Sequence, residues 1–271
     1  MENNKIYERL SRLEKEGHIV PDIALLKTPE QIKAIQKSAD LNTAVLDYVA
    51  GHIQAGMSTA DIDQLVYDYT TSHGGIPAPL GYEGFPKSVC TSINNEICHG
   101  IPDEQIILQE GDIVNVDVST ILDGYYSDAS RMFAIGNIAK RAQKLLKVTE
   151  ECVNLGLAAA KPWGHLGDIA DAIHTHARAN GYSVVEEIGG HGIGLEFHEE
   201  PFVSYVAPKG TEMVLVPGMI FTIEPMINEG CPEFFIDEDN GWTVYTEDDG
   251  LSAQIEYMVL VTETGMEILS K

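Results

Sequence analysis

The chain has 271 residues, of which 44% are hydrophobic and 22% are charged, and its formal net charge is −25. These proportions are ordinary for a globular protein with a sizeable core. The negative charge argues against direct binding to nucleic acid, which requires a basic surface. We find neither an apolar run of the roughly 20 residues that span a bilayer nor a signal-peptide core. Four cysteines without a C-x-x-C pair suit a reducing compartment. We therefore expect a cytoplasmic protein that does not associate with membranes.

The first quarter of the chain contains three predicted helices. Residues 3–17 carry apolar side chains at helical spacing, and we expect them to lie in an N-terminal helical extension over residues 1–25. The sequence that begins at Thr28 (Thr-Pro-Glu-Gln) predicts a capping box and a helix running to about Gln54. A further helix is predicted to open at Ser58 and to stop at a pair of glycines at 74 and 75.

The most informative stretch, residues 111–133, predicts a β-hairpin. Alternating β-branched residues precede an Asp-Gly turn, which is among the strongest hairpin signals. If those two turn residues form the loop, Asp117 lies opposite Ser130 and Asp128 lies opposite Ser119. The two aspartates then share one face, with their Cβ atoms roughly 7–8 Å apart or less. Such a pair shares a proton, meets cations or binds metal, unless the face is simply open to solvent.

The second half of the chain repeats the order of helices followed by strands. The tetrapeptides Cys98-His99-Gly100-Ile101 and Gly190-His191-Gly192-Ile193 also echo each other. We therefore predict an α+β fold of two related halves packed around one site. The predicted helices cover about 138–160 and 167–180, and the predicted strands lie in the segments SVVEEI, PFVSYV, MIFTIEPM, GWTVYT and SAQIEYMVLVT.

Five residues with metal-ligand chemistry are spread over separate predicted segments. Each has an ordinary interpretation: the histidine, in the Gly-rich segment GGHGIG, could be structural, Glu224 could pair with a lysine, and Glu256 could lie on an edge strand. Taken jointly, four carboxylates and one imidazole would suit two divalent metal ions about 3.5–4 Å apart. The five residues are Asp117, Asp128, His191, Glu224 and Glu256.

An ordered set of motifs over residues 82–265 resembles the type I methionine aminopeptidases, which have the creatinase-like pita-bread fold. The resemblance implies two pseudo-symmetric halves, with antiparallel sheet and outer helices, in a single catalytic domain over residues 26–271. Type I is favoured because the second half has no long insertion and the N-terminal extension has no Cys/His cluster. The motifs are YEGFPKSVCTSINNEICHGIP, NVDVS with GYYSDASR, GHGIG with FHEEP, FTIEPM, and SAQIEY followed by VLVTETG.

The resemblance also implies a role for each site residue. Asp117 would chelate one metal, Asp128 and Glu256 would bridge both metals, and His191 with Glu224 would bind the other. Glu224 would also shuttle protons, and the catalytic histidines His99 and His198 would contact the scissile amide of the substrate. An aromatic pocket with a soft sulfur neighbour suits a thioether, and the implied methionine pocket consists of Tyr82, Phe85, Cys90, Phe197 and Trp242.

The implied reaction removes the initiator methionine from nascent proteins whose second residue is small. A metal-bridged hydroxide would attack the first peptide carbonyl, while His198 would stabilise the charge that develops there. The implied cofactors are two divalent metal ions, drawn from Co, Mn, Fe and Zn. The implied partners are nascent polypeptide N-termini, with transient ribosome association, and we expect a monomer. Because Glu2 is not small, the chain is expected to keep its own Met1.

Two other functions remain open at this point. A prolidase or Xaa-Pro aminopeptidase has the same fold but usually carries a sizeable N-terminal domain. A non-catalytic binding protein on this fold would have lost metal ligands, whereas all five are present here. Two positions depart from the family pattern: Glu83 stands inside the Y-x-G-F-P motif, and Tyr257 follows Glu256 where close relatives often have histidine.

Overall fold

The computed structural model describes residues 2–271, with side chains from residue 5 onward. Met1 lies outside the described residues, and its retention stays a prediction. Within this range the chain alternates helices and antiparallel strands, as an α+β fold requires. The helices are α1 (Glu2–Lys15), α2 (Pro29–Ala50), α3 (Thr59–Ser72), α4 (Lys140–Ala159) and α5 (Leu166–Ala179).

The strands are short outside one long hairpin. They form four antiparallel sheets, in the orders β1-β4-β2 with β5 also on β4, β13-β10-β6, β11-β12-β3 and β15-β14-β9-β7-β8. The strands are β1 (Ile76–Pro77), β2 (Cys90–Ile93), β3 (Glu96–Cys98), β4 (Ile113–Leu122), β5 (Tyr125–Ala134), β6 (Ser183–Val184), β7 (Gly190–Gly192), β8 (Glu199–Val203), β9 (Ile220–Ile223), β10 (Met226–Asn228), β11 (Phe234–Ile236), β12 (Val244–Thr246), β13 (Ser252–Gln254), β14 (Tyr257–Val261) and β15 (Met266–Ser270).

The start of α2 follows its predicted cap, but its end does not. The backbone N–H of Thr28 donates to the Gln31 side chain at 2.8 Å, and the Gln31 N–H donates to Thr28 Oγ1 at 3.3 Å, so the capping box is confirmed. The expectation that α2 reaches Gln54 is wrong, because Gly51 caps the helix. The segment beyond bonds elsewhere: the N–H of Gly56 donates to the carbonyl of Leu108 at 2.8 Å.

The hairpin of β4 and β5 has the predicted register. Leu122 is paired with Tyr125, which leaves Asp123 and Gly124 as the two-residue turn, and both turn residues have positive φ (52° and 85°). That is the backbone conformation that a type I′ turn requires. Asp117 is paired with Ser130 and Ser119 with Asp128, so both aspartates face the same way.

Each half of the molecule has its own helix pair and core. Helices α2 and α3 pack over the hairpin sheet around residues such as Val45, Val66 and Val116. Helices α4 and α5 cover a larger core in the second half, which includes Leu145 and Ile169. An isolated bridge between Ser130 and Glu256 joins β5 to the second half. The site therefore forms where the two halves meet.

The His-Gly echo has a structural counterpart. A Cβ added to Gly100 would lie 2.0 Å from the carbonyl oxygen of Thr91, and one added to Gly192 would lie 2.1 Å from that of Glu200. In each half, the glycine after the histidine therefore lets a neighbouring backbone pack directly against it. His99 itself has a left-handed backbone, with φ of 56°.

Several predicted strands are shorter than the sequence suggests. The SVVEEI segment forms only β6, and β13 and β14 are separate strands with Glu256 between them. The Gly-rich segment around His191, which is not among the predicted strands, contains strand β7 in the middle of a sheet. Glycine has weak strand propensity, and the sheet contacts of β7 override it.

The N-terminal segment lies against the second half. Leu10 of α1 is buried in the core beneath α4 and α5, and the Arg9 guanidinium lies 3.9 Å from the centre of the Trp163 ring. The division into an extension over 1–25 and a catalytic domain over 26–271 stays a proposal. No helix of the described range is long and apolar enough to cross a membrane.

Candidate metal centre and substrate cavity

The long hairpin supplies the first two candidate ligands. Asp117 lies on the central strand β4, opposite Cys90 of β2 on one side and Ser130 of β5 on the other. Asp128 is 4% exposed and accepts a hydrogen bond of 2.9 Å from the Ser119 hydroxyl. Because the pair is diagonal in the ladder, their carboxylates point into the same space.

Glu256 comes to this pair from the other half. Its backbone N–H donates to the carbonyl of Ser130 at 3.2 Å, and its side chain is 1% exposed. Its carboxylate and that of Asp128 both face Asp117. Three carboxylates from three separate segments of the chain, β4, β5 and the residue before β14, therefore converge.

His191 faces the carboxylates through one defined nitrogen. Its Nδ1 atom lies 3.0 Å from the carbonyl oxygen of Gly192, which can only accept, so Nδ1 carries the proton. Nε2 lies 3.8 Å from Asp128 Oδ2 and 3.7 Å from Glu224 Oε1. In the neutral ring, Nε2 presents a lone pair to carboxylate oxygens, which is the state of a metal-binding imidazole.

Glu224 follows strand β9 and is held at three points. The Thr222 hydroxyl donates to Oε1 at 2.6 Å, and the Gln254 amide donates to Oε2 at 2.9 Å. The backbone N–H of Glu224 donates to the Tyr205 hydroxyl at 2.7 Å. The predicted alternative of a lysine partner finds no support in these contacts.

Sequence reasoning missed Thr222, Gln254 and Tyr205. Two of them had a readable signal, because Thr222 and Gln254 each stand two residues before a predicted ligand. Side chains at that spacing share a face of a strand. Tyr205 lies in a distant segment and has no comparable signal.

Within the described part of the chain, no positively charged side chain is paired with the candidate ligands. Among residues 5–271, none of the five forms an ion pair with lysine or arginine. Asp117 Oδ1 and Glu256 Oε1 are buried, and neither has a hydrogen-bond partner in that range. One ligand atom each from Asp128, His191 and Glu256 lie within 4.8 Å of one another. Orphaned carboxylate oxygens beside an imidazole lone pair fit a cluster of divalent cations.

The pKa values of the five candidate ligands also fit a site for divalent cations. Burial raises the pKa of Asp117 to about 6 and the pKa of Glu224 to about 8. Burial and neighbouring carboxylates raise the pKa of Asp128 and Glu256 well above the ordinary range. Burial lowers the pKa of His191 to about 4, so its ring is neutral at pH 7. Bound cations would favour the ionised carboxylates instead.

Every predicted site residue lines one cavity of about 700 Å³. The five candidate ligands form one wall, and aromatic side chains form another. Phe85 contacts Trp242 edge to face at 5.2 Å between ring centres, and Tyr82 contacts Phe197 at 4.9 Å. The cavity lining includes Tyr82, Phe85, Cys90, His99, Asp117, Asp128, His191, Phe197, His198, Glu224, Trp242 and Glu256.

The two predicted catalytic histidines lie close to the candidate ligands. The ring of His198 lies 4.2 Å from that of His191, and its Nδ1 atom is 3.0 Å from the Tyr82 hydroxyl. His99 lies beside Trp242, with 6.3 Å between ring centres. Burial lowers the pKa of His99 to about 4. Both rings line the same cavity and can donate or accept hydrogen bonds there.

The cavity also has an acidic rim that the sequence analysis did not anticipate as a unit. Glu83, Glu187 and Glu200 are exposed and line the cavity, whose lining contains no lysine or arginine. Only Glu83 had been singled out, as a departure from the family pattern. The other two lie on separate segments that only the fold brings together.

The profile described as metallopeptidase family M24 matches residues 33–263. The chain belongs to metallopeptidase family M24. Membership of this metallopeptidase family means that the protein uses divalent metal, in agreement with the carboxylate-rich site.

Close relatives narrow the family assignment. The methionine aminopeptidase A of Synechocystis sp. is 49% identical over 249 residues, which cover 92% of this chain and 98% of that protein. The crystal structure of methionine aminopeptidase from Rickettsia prowazekii matches with a TM-score of 0.89 and 42% identity, over 91% of this chain and 99% of the other. The predicted resemblance to type I methionine aminopeptidases is confirmed, and with it the pita-bread fold and the methionine aminopeptidase activity.

The likeness to prolidases is weaker. Prolidase from Pyrococcus furiosus matches with a TM-score of 0.73 and 23% identity, and the match covers 65% of that chain. At this identity the likeness concerns the fold alone. Within family M24, the comparisons therefore favour an aminopeptidase over the prolidase alternative.

Proposed function

We propose that this M24 enzyme removes N-terminal methionine with two divalent metal ions held by the five converging residues. Asp117 would chelate one ion, and His191 with Glu224 would bind the second. Asp128 and Glu256 would be shared, since both contact Asp117 and Asp128 also approaches His191. The observation that carries the proposal is the set of buried carboxylates around a neutral imidazole, which no lysine or arginine among residues 5–271 balances.

When bound, divalent metals supply Lewis acidity, which lowers the pKa of water and polarises a peptide carbonyl. The side chains then have separate tasks. His198 would hydrogen-bond the carbonyl oxygen as negative charge develops, and its ring is held by the Tyr82 hydroxyl. His99, which lines the same cavity, would also contact the scissile amide.

Glu224 is suited to move the proton. It would take a proton released during attack on the carbonyl and deliver it to the leaving nitrogen. Its two oxygens are fixed by Thr222 and Gln254, so the carboxylate is oriented before substrate binds. This preorganisation lowers the reorganisation needed during the reaction.

The aromatic wall would select methionine. Tyr82, Phe85, Phe197 and Trp242 offer ring edges and faces to a thioether, and Cys90 adds a soft neighbour. The cysteine stays a thiol, because burial raises its pKa well above the ordinary value. The small second residue follows from the need to bring the first peptide bond close to the histidines and carboxylates.

The test is release of free methionine from two tetrapeptides, Met-Gly-Met-Met and Met-Glu-Met-Met, by protein reconstituted with Mn, Fe, Co or Zn. Cleavage of the first peptide only is expected. Asp128→Asn should abolish it, whereas Asp123→Asn, the same change at the exposed turn of the same hairpin, should not. Equal turnover by Asp128→Asn would contradict the ligand assignment. If the folded protein released no methionine with any metal, Xaa-Pro peptides would be tried next.

The number and identity of the metals need a separate measurement. We propose two ions per chain, and titration of metal-free protein followed by calorimetry should give a stoichiometry near two. Elemental analysis of protein purified without added metal would show which ion it holds. A single ion bound at saturation would restrict the proposal to a mononuclear site.

We further propose that the enzyme acts as a cytoplasmic monomer on nascent chains and associates transiently with the ribosome. Nascent N-termini are presented there, and the negative charge of the chain favours contact with ribosomal protein rather than RNA. Co-sedimentation with ribosomes at low and high salt tests the association. Size-exclusion chromatography with light scattering tests the monomer.

A further inference from the structure

A buried lysine lies behind the substrate cavity, outside its lining. Lys27 precedes the N-cap of α2, and only 5% of the residue is exposed. Its backbone N–H donates to the carbonyl of Gly218 at 2.8 Å, which fixes its position against the second half. Its ammonium forms an ion pair with Glu199, whose side chain is 11% exposed.

Glu199 ties together the turn that precedes it. The oxygen of Glu199 that Lys27 does not contact accepts hydrogen bonds from the backbone N–H groups of Leu195 (2.7 Å) and Glu196 (3.0 Å). One carboxylate thus closes the turn over residues 195–199 and pairs with a cation beneath it. The stem of Lys27 also supports the start of the turn, because its Cε atom lies 3.4 Å from where a Cβ of Gly194 would be.

This turn carries two residues of the proposed site. Phe197 contributes to the aromatic wall, and His198 contacts Tyr82, with its ring tilted against that of His191. Without Lys27, Glu199 would be a largely buried carboxylate at the edge of a cavity already crowded with carboxylates. It would lose the charge that holds it away from them.

We propose that Lys27 is a positioning residue for catalysis. Its ammonium holds Glu199 in the conformation that presents His198 and Phe197 to the substrate. This inference rests on the roles proposed above for those two residues. It gives the segment before α2 a part in the reaction, although Lys27 does not line the cavity.

A double-mutant cycle distinguishes a positioning role for Lys27 from a purely structural one. Lys27→Met keeps an unbranched apolar stem, one atom shorter, and removes the charge. We expect it to lower kcat about 10- to 100-fold, since small misplacements of catalytic groups have such effects. In a His198→Ala background the same change should cost clearly less, because only its effect through Phe197 then remains. Lys33→Met, on the exposed face of α2, serves as the matched control. Equal losses in both backgrounds would overturn the proposal.

A second measurement does not depend on activity. In protein with labelled histidines, the imidazole signals of His198 should shift in Lys27→Met, while those of the exposed His52 should not. Unchanged His198 signals would overturn the proposal even if activity fell. If Lys27→Met does not fold, the pair Lys27→Met with Glu199→Gln avoids an unpaired buried charge and permits the same measurement. Divalent metal titration should give wild-type affinity, which distinguishes this effect from failure of the metal site.

Discussion

Gln254 donates a hydrogen bond of 2.9 Å to Oε2 of Glu224, and both side chains are buried. The amide orients a carboxylate that we propose as metal ligand and proton carrier. Removing such a partner typically lowers metal affinity or activity 10- to 100-fold. We expect Gln254→Leu to show a loss in this range, measured by calorimetric titration of metal-free protein. Gln64→Leu, on the exposed face of α3, should leave affinity unchanged, and equal affinities in all three proteins would contradict the role.

The metal-free protein should lose stability as pH rises from about 6.5 to 8. The pKa of Glu224 is raised to about 8 in the folded state, from an ordinary value of 4.5. In this window the folded state holds a proton that the unfolded state has released, so raising the pH favours unfolding. The histidines with lowered pKa act in the opposite sense, but only below their ordinary pKa of 6.5.

Thermal unfolding in the presence of a chelator measures this effect. The melting temperature of wild-type protein should fall across the window more steeply than that of Glu224→Gln, in which the group cannot ionise. Surface charges are common to both proteins, so the difference between the slopes isolates the buried site. Saturating divalent metal should remove the difference. Identical slopes without metal would show that Glu224 does not titrate there.

The acidic rim should bias the enzyme toward basic residues that follow the scissile bond. Glu83 lies close enough to His198 to oppose the lowering of its pKa, and no lysine or arginine of the described part of the chain lines the cavity. We expect Met-Ala-Lys peptides to be cleaved a few-fold faster than Met-Ala-Glu peptides at low salt, and the ratio to fall as salt rises. Glu83→Gln should reduce the ratio, whereas Glu14→Gln, on α1, should not. If Glu83→Gln left the ratio of the two cleavage rates unchanged, Glu83 would not be the source of the preference.

Gly100→Ala should destabilise the protein more than Gly265→Ala. A Cβ at this position meets the carbonyl oxygen of Thr91 at 2.0 Å, so Gly100→Ala must displace backbone next to His99. Overpacking of this kind costs roughly 1–3 kcal/mol of unfolding free energy. Chemical denaturation should show this loss together with reduced kcat. Gly265→Ala, where an added Cβ meets nothing within 4 Å, should be close to neutral.

The sequence predicted the hairpin well because one local feature determines it. The Asp123-Gly124 turn fixes the register of the two strands. A shift of one residue in that register would place Asp117 and Asp128 on opposite faces of the sheet. The start of α2 was equally local, since Thr28 and Gln31 bond to each other. Its end was placed too late, because Gly51 caps the helix and the segment that follows bonds to the distant carbonyl of Leu108.

The rest of the site depended on contacts that no local pattern shows. Strand β7 is too rich in glycine to be predicted as a strand, yet it lies between β8 and β9. The motifs pointed to the five candidate ligands, and the fold brings them together. The contacts of Tyr205 with Glu224 and of Lys27 with Glu199 join residues that are far apart in the chain. Only the folded arrangement reveals them.

The order of the candidate ligands along the chain has a consequence for biosynthesis. Asp117 and Asp128 meet within a single hairpin, which can form as soon as that segment is translated. Glu256 joins them only through its bridge to Ser130, near the C-terminal end of the chain. A copy translated only as far as the hairpin therefore carries the carboxylate pair without His191, Glu224 and Glu256. By this reasoning the enzyme is inert toward neighbouring nascent chains until the segment around Glu256 has been translated and has joined the hairpin.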